Sequence, residues 1–596
     1  MKAAALVLAA LVNPFAGTAG NGNTFPGATV PFGMVQNSPD TSPGTIREFS
    51  LVHVSGAGVP LGGQVRFMPG AGPAGFSHAN EAAEPGYYRV KLDSGVTVEL
   101  TAGLRTAVQR YTFPPGAPRS LTVGGQVRRT GRAELSGSDG GVFFVARFSG
   151  KIGSFSGGRA TFDAPVVTAR IGISWVDVRG ARRNLERGSF DAVLARARAA
   201  WNRELGTVRV TGGGDQRTFY TALYHALLQP NVFSDADGRY RGLDHRVHRA
   251  RGRVQYTELA LWDSEKSTNQ LLALLEPRRD RDVLLSLLAD YRQRGKLPRW
   301  VDRDTDPAYM EGDPALPAIA DGVCRGLVSR PDASALYDAG LKLRRRRDRP
   351  AARASTAYEY GVDDFALALV ADRLGRRRDA RRLASASLAY RSPLGGGFLE
   401  GTAFQYSWLA PHDARGLFDR LGGDAAAVRR LDEFFASPVP GDNPNAPTGH
   451  RYEAPGYAVG NEQDLQVPWM YAFARAPART SDVLARLRGW FSSAPDGLPG
   501  NDDLGALSSW YVFAALGFGP VTPGAPFYVL SQPAFSQAVV LPHGRRPFAI
   551  VAGAPARSWL PDSALRRNTV IAGAAPPSAE RPPSLSDSPL RSFGCR

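Results

Sequence analysis

Between residues 13 and 188, apolar and polar side chains alternate in short runs: YYRVKL, VTVEL, RYTF, GVFFVARF and ARIGISWVDV, separated by Gly, Pro and Ser. A period of two belongs to strands with one buried face. Turn residues at such short intervals predict an N-terminal β-sandwich over residues 13–188. The period then changes. SFDAVLARARAAWNRELG, with Ser189 placed to cap it and Gly206 to stop it, predicts a linker helix over 189–206. From 207 to 524 apolar residues recur every three or four positions, as in FYTALYHALLQ, RDVLLSLLADYRQR, DDFALALVADRL, QVPWMYAF, TSDVLARLRGWF and LGALSSWYVFAALG. Many helices joined by Gly- and Pro-rich loops, with no fixed repeat length, predict an (α/α)6 toroid rather than a solenoid. Strand character returns in YVLSQPAF, AVVLP and FAIVAG. They form a short C-terminal β segment over 525–575 that would complete the sandwich. Residues 576–596 are poor in apolar side chains and read as a disordered tail.

A chain of 596 residues is long enough for several domains or one large composite core. The formal charge of +17 is carried mostly by Arg. It concentrates in LKLRRRRDRP and LGRRRDARR, where Arg is mixed with Asp beside helical patterns. Such runs read as solvated helix ends, and with no nucleic-acid motif beside them no nucleic-acid partner is expected. Cys324 and Cys595 are the only cysteines. They offer no disulfide framework and no CxxC, and Cys595 lies in the expected tail, so stability is expected from core burial. The opening MKAAALVLAALV resembles a short signal peptide over residues 1–12, which would place the protein outside the cell or in the bacterial envelope. The alternative is a first buried strand and a cytoplasmic enzyme. No other run approaches the ~20 apolar residues of a membrane helix.

The candidate chemistry is carboxylate chemistry. In LEGTAFQYSWLAPHD, Glu400 follows a Gly-rich turn and precedes Phe404, Tyr406 and Trp408. An acid among aromatics keeps its proton near neutrality, as a general acid must, although a helix-start glutamate favoured by the dipole is the plainer alternative. In PGNDDLGALSSWYVFAALG, Asp502 and Asp503 follow Asn501 at a helix start. One of the two suffices as a cap, which leaves the other free to hold a water. Asn461, Glu462 and Asp464 in YAVGNEQDLQVPWMY present oxygens in a turn, suited to a hard cation or to ordinary capping. Trp262 beside Asp263 is a common sugar-binding pair, though equally a buried indole beside a satisfied acid. His412 stands beside Asp413, but no GxSxG elbow exists to make a hydrolase triad. GNGNTFPGATVPFG lacks the strand–GxGxxG–helix context of a dinucleotide site and reads as a tight loop facing the helical region. Two carboxyls in aromatic surroundings are the equipment of glycoside hydrolysis.

These segments, in order, resemble glycoside hydrolase family 92, the calcium-dependent exo-acting α-mannosidases. The likeness also runs through VNPFAGTAGNGNTFPGATVPFGMVQNSPDT, FSLVHVSGAGVP, FSHANEAAEPGYYRVKL, FYTALYHALLQPNVFSDADGRYRGLD, LALWDSEKSTNQLLALLEP, YMEGDPALP and GNEQDLQVPWMY, so it spans almost the whole chain. The resemblance implies an active site between the sandwich and the (α/α)6 domain, an inverting mechanism with Glu400 as general acid and Asp503 as general base, and a mannose-containing oligosaccharide or glycoprotein glycan as substrate. It implies Ca2+ near Asn461 and Glu462, and substrate contacts from Trp262, Asp263, Asn461, Glu462, Asn501 and His412. The chain departs from the family pattern at Asn461-Glu462, at WDSEKS and at VDRDTDPAYMEGDP, which bears on linkage and on one basic contact. Another (α/α)6 enzyme such as a phosphorylase, or an inactive glycan-binding relative, are the competing expectations.

Overall fold

The computed structural model describes residues 8–59, 61–347, 351, 353–392, 396–436, the backbone of 439–440, 456–565 and 569–595. Strands between Ser38 and Ser174 form a 14-stranded antiparallel sheet. Its alternation is that of the sequence: in Tyr87–Leu92, Tyr88, Val90 and Leu92 are buried while Arg89 and Lys91 are exposed. The strand Ala74–Glu84 pairs at its start with Thr45–Ser50 and along its length with Tyr87–Leu92. The sheet therefore folds over on itself, and Phe67 meets Phe144 across the interior with ring centroids 6.0 Å apart. Its two ends approach where the Ile152 amide donates to the Arg132 carbonyl at 2.8 Å. The result is one continuous, barrel-like sheet.

The linker helix runs Phe190–Leu205, with the Ser189 hydroxyl accepting from the Ala192 amide and Gly206 at its end. It buries Trp201, whose indole donates to the Thr29 carbonyl at 2.7 Å. A short 3-10 turn, Leu8–Leu11, packs beside it: Leu8, Ala9 and Val12 are buried, and the Ala9 amide donates to Asn202 Oδ1 at 3.0 Å. Residues 8–12 of the expected signal peptide thus pack into the fold, and the first seven lie outside the described residues.

The helical region contains Gln216–Ala226, Thr268–Leu275, Pro277–Arg294, Ala315–Cys324, Arg330–Arg344, Ala354–Arg373, Arg377–Ala386, Asp424–Phe434, Pro477–Arg488 and Ala506–Leu516, among shorter pieces. QVPWMYAF is a 3-10 helix, Val467–Ala474, with Pro468 in its first turn. Among the described residues no helix is long and apolar enough to cross a membrane.

Three expectations are corrected. The C-terminal strands Phe535–Val540, Phe548–Ala552 and Val570–Ala572 do not complete the sandwich but form a 4-stranded sheet with Val208–Gly213. The tail is not loose. Cys595 is disulfide-bonded to Cys324 across a separation of 271 residues, and Phe593 is buried against Phe365 and Phe527. A covalent link and one aromatic anchor hold a segment whose composition alone could not. The first Arg run is a solvated end only in part: Arg345 and Arg346 are exposed, but the Arg347 guanidinium is buried among Asp313, Asp363 and Asp364. A buried cation needs such pairing, and three carboxylates supply it.

Candidate active site

Four short segments converge where the N-terminal sheet meets the helices. The strand Leu259–Ala260 pairs with Trp300–Val301 and leads into the turn Leu261–Ser264, carrying Trp262 and Asp263. Glu400 lies just before a short helix, Ala403–Tyr406, started by a capping box between Thr402 and Gln405. Its φ of 49° is left-handed, which a non-glycine residue adopts at a cost of order 1–3 kcal/mol. Two side chains hold it there, Asn461 Nδ2 at 2.8 Å and Gln463 Nε2 at 2.6 Å donating to its carbonyl. Asn461 and Glu462 therefore lie directly against the Glu400 turn.

The fourth segment is held from the other domain. The amides of Asp502, Asp503 and Leu504 donate to the carbonyls of Gly22, Gly56 and Ser55 at 3.2, 3.0 and 3.2 Å. The Gly-rich N-terminal loop does face the helical region, as its sequence predicts. Asp503 and Leu504 have φ of 43° and 53°. Asp502 Oδ1 accepts from the Ser508 amide at 3.0 Å and from its hydroxyl at 2.5 Å, so Asp502 caps the helix Ala506–Leu516. Asp503 is left to face the cluster. Asn501 is held by an amide hydrogen bond from Asn23.

One carboxylate oxygen each of Asp263, Glu462 and Asp503 lies within 4.8 Å of the others. Burial, and then the charges of Glu462 and Glu400, raise the Asp263 carboxyl well above the usual range. Burial followed by the charges of Glu462 and Asp263 does the same for Asp503. Glu400 is pushed up to about 7, by burial first and then by Glu462 and Glu311. Acids that crowd together out of water need a positive partner or a shared proton. One partner is on the chain: Lys266, its side chain fully buried, bonds Glu265 at 2.7 Å and lies 5.0 Å from the Trp262 ring centroid. A second has room, since Asp263 Oδ2 and Asn461 Oδ1 are buried without a hydrogen-bond partner. An all-oxygen donor set with free lone pairs fits a hard divalent cation.

Two expected substrate contacts are placed differently. The Trp262 side chain is 1% exposed and donates to Glu359 Oε1 at 2.9 Å, so it is a wall behind Asp263 rather than an open platform. His412 is fully buried, bonded to the Ser387 carbonyl at 3.2 Å and stacked on Phe365, with no contact to the carboxylate cluster. Sequence patterns treat adjacency to Asp413 as a chemical hint, but the ring is packed into the helical core.

Two family models cover nearly the whole chain: the glycosyl hydrolase family 92 N-terminal domain matches residues 11–174, and the family 92 catalytic domain matches 180–394 and 391–569. The chain belongs to glycosyl hydrolase family 92. Among solved structures, a family 92 α-mannosidase from Bacteroides thetaiotaomicron superposes with a TM-score of 0.87 at 26% identity, covering 98% of this chain and 96% of that one. The same protein in complex with mannoimidazole gives 0.88 at 26% identity, over 96% and 95%. An inverting family 92 mannosidase of that organism shares the fold, with a TM-score of 0.86 at 23% identity over 98% and 100%. A protein of Arthroderma benhamiae called an uncharacterized secreted glycosidase is 22% identical over 89% of this chain and 85% of its own.

The same neighbourhood in this family 92 hydrolase holds residues that sequence patterns did not single out. Glu311 bears on the charge at Glu400, Lys266 on Asp263 and Glu462, Glu265 on Asp263, and Glu359 on Glu265 and Lys266. Only the adjacency of Glu265 and Lys266 to Trp262–Asp263 was a signal. Glu311 and Glu359 come from other segments, and only the packing brings them here.

Proposed function

We propose that this family 92 hydrolase is an exo-acting, inverting α-mannosidase that releases terminal mannose from oligosaccharides or glycoprotein glycans with the help of Ca2+. The observation that supports it most is a half-buried Glu400 that keeps its proton near neutrality, within the electrostatic reach of Asp503. Glu400 donates its proton to the glycosidic oxygen as the bond from the anomeric carbon breaks. Asp503, ionised once the crowded acids have a positive partner, takes a proton from the water that attacks the opposite face, so mannose is released as the β anomer, while the Glu400 proton restores the leaving sugar's hydroxyl. Asn501 and Asp502 fix the turn that aims Asp503. Asp263, Glu462 and Asn461 would hold the cation, which when bound polarises the sugar's hydroxyls and offsets the charge of the crowded acids. The disulfide and the name of the Arthroderma relative support export to an oxidising compartment.

Three experiments test the reading. Hydrolysis of α-mannobioses followed by proton NMR gives β-mannose as the first product, and retention of configuration rules the mechanism out. Glu400→Gln and Asp503→Asn each lower kcat by roughly 10²–10⁴-fold or more. Stripping the enzyme with EDTA abolishes turnover, and added Ca2+ restores it and raises the unfolding temperature. Asp263→Asn loses that calcium-dependent rise.

A further inference from the structure

The loop 303–312 is built with unusual care for a surface segment. Arg303, Ala308 and Met310 all have left-handed φ, at 58°, 56° and 63°. Arg299 pays for this: its guanidinium donates to the carbonyls of Ala308 at 3.2 Å, Met310 at 2.7 Å and Gly312 at 3.1 Å. Asp306 Oδ1 adds a second brace, accepting from the Trp300 and Ala308 amides at 3.2 and 3.0 Å. A loop pinned this way positions the side chains it leaves uncovered; beside Thr305 and Pro307, the large one is Tyr309, 44% exposed.

Tyr309 stands edge-on to Trp300, with ring centroids 5.6 Å apart. Trp300 belongs to the wall of the candidate active site. It packs with Ala260, just before Trp262 and Asp263, with Leu504, just after Asp503, and against Val54 and Ala57 of the N-terminal domain. At the other end of the loop, Glu311 is fixed by Thr356 Oγ1 at 2.6 Å and contributes its charge to the surroundings of Glu400. The loop thus joins the proton donor to the wall beside the water-activating acid, and carries an exposed aromatic ring between them.

We infer that Tyr309 is a specificity-determining residue: its ring forms the platform for the sugar on the leaving side of the bond. A sugar ring offers a face of C–H groups, and an aromatic face is the natural partner. Trp300 and the Arg299 brace make the ring rigid, so little entropy is lost on binding. The inference rests on the α-mannosidase reading and adds to it the residue that recognises the leaving saccharide.

The test compares α-mannobioses with α-mannosyl fluoride, whose leaving group has no ring to stack. Tyr309→Ala lowers kcat/KM for the mannobioses roughly tenfold more than for the fluoride, mainly through KM, and Tyr309→Phe keeps the wild-type ratio. Hydrolysis of the fluoride by each variant reports that its fold and chemistry are intact. Equal losses on both substrates, or no loss on either, overturn the inference, the first because Tyr309 then only supports the loop. Failure of the wild-type enzyme to cleave either substrate is a different outcome, and it overturns the α-mannosidase reading itself.

Discussion

Asp502 and Asp503 are neighbours of the same type, yet their oxygens have different employment. Asp502 is fully buried and caps Ser508, while Asp503 turns toward Asp263 and Glu462. The left-handed backbone at Asp503 separates them, since it points consecutive side chains in directions an extended or helical pair would not reach. The same dependence on surroundings governs His412, whose pKa is lowered to about 4 because burial penalises the charged ring. Its folded-state value lies below the ordinary 6.5, so the stability it contributes is present above pH 6.5 and is lost as pH falls through that window toward 4. The urea midpoint of the wild type is therefore expected to drop between pH 7 and pH 4.5. In His412→Phe, which keeps the stack on Phe365, the drop is smaller, and an unchanged pH profile would show that the ring already titrates normally.

At the scale of elements, the site depends on loops that glycine lets pass close together. Gly56 has φ of 72°, and a Cβ there would stand 2.6 Å from the Asp503 amide nitrogen and 2.7 Å from Asp502 Cβ. Gly56→Ala must therefore push the Asp502–Leu504 turn away from the segment that carries Ser55 and Gly56. Displacing a reacting group by about 1 Å costs on the order of 10²-fold in rate, and a loss of this size in kcat is expected with the far-UV circular dichroism unchanged. Wild-type kcat in Gly56→Ala would mean that the turn does not aim Asp503. The elements themselves were largely readable. Alternation gave Tyr87–Leu92 and Val142–Phe148, and three-to-four spacing gave Pro277–Arg294 and Ala506–Leu516. The helix Arg330–Arg344 was not read, because its buried side is built partly from Ala333, Ala339 and Gly340, and small residues leave a weak apolar stripe.

Across the whole molecule, the C-terminus closes the structure. The strand Val208–Gly213, at the entry to the helical region, pairs with Phe535–Val540 from its far end, and Cys595 is tied to Cys324. Arg581 pairs with Asp424, and Ser586 reaches Asp413. A crosslink over so long a loop restricts the unfolded chain, and removing it typically costs about 2–5 kcal/mol. Cys324→Ser is expected to lower the unfolding temperature and to raise amide exchange across residues 576–595, while the N-terminal sheet exchanges as before. Unchanged exchange in the tail would mean that Phe593 and the polar contacts hold it without the bond.

The sequence by itself pointed to most of the elements, the loop that faces the helices, and the acidic positions Asp263, Glu400, Glu462 and the Asp502–Asp503 pair as candidates, because periodicity and local residue chemistry act over a few neighbours. The tertiary structure decided which of two adjacent aspartates is free, that Trp262 and His412 are packed away, that Arg347 is enclosed by acids, and that two distant cysteines meet. Those outcomes depend on which side chains share a space out of water, and burial, charge pairing and covalent reach are properties of the folded neighbourhood that no local stretch of chain contains.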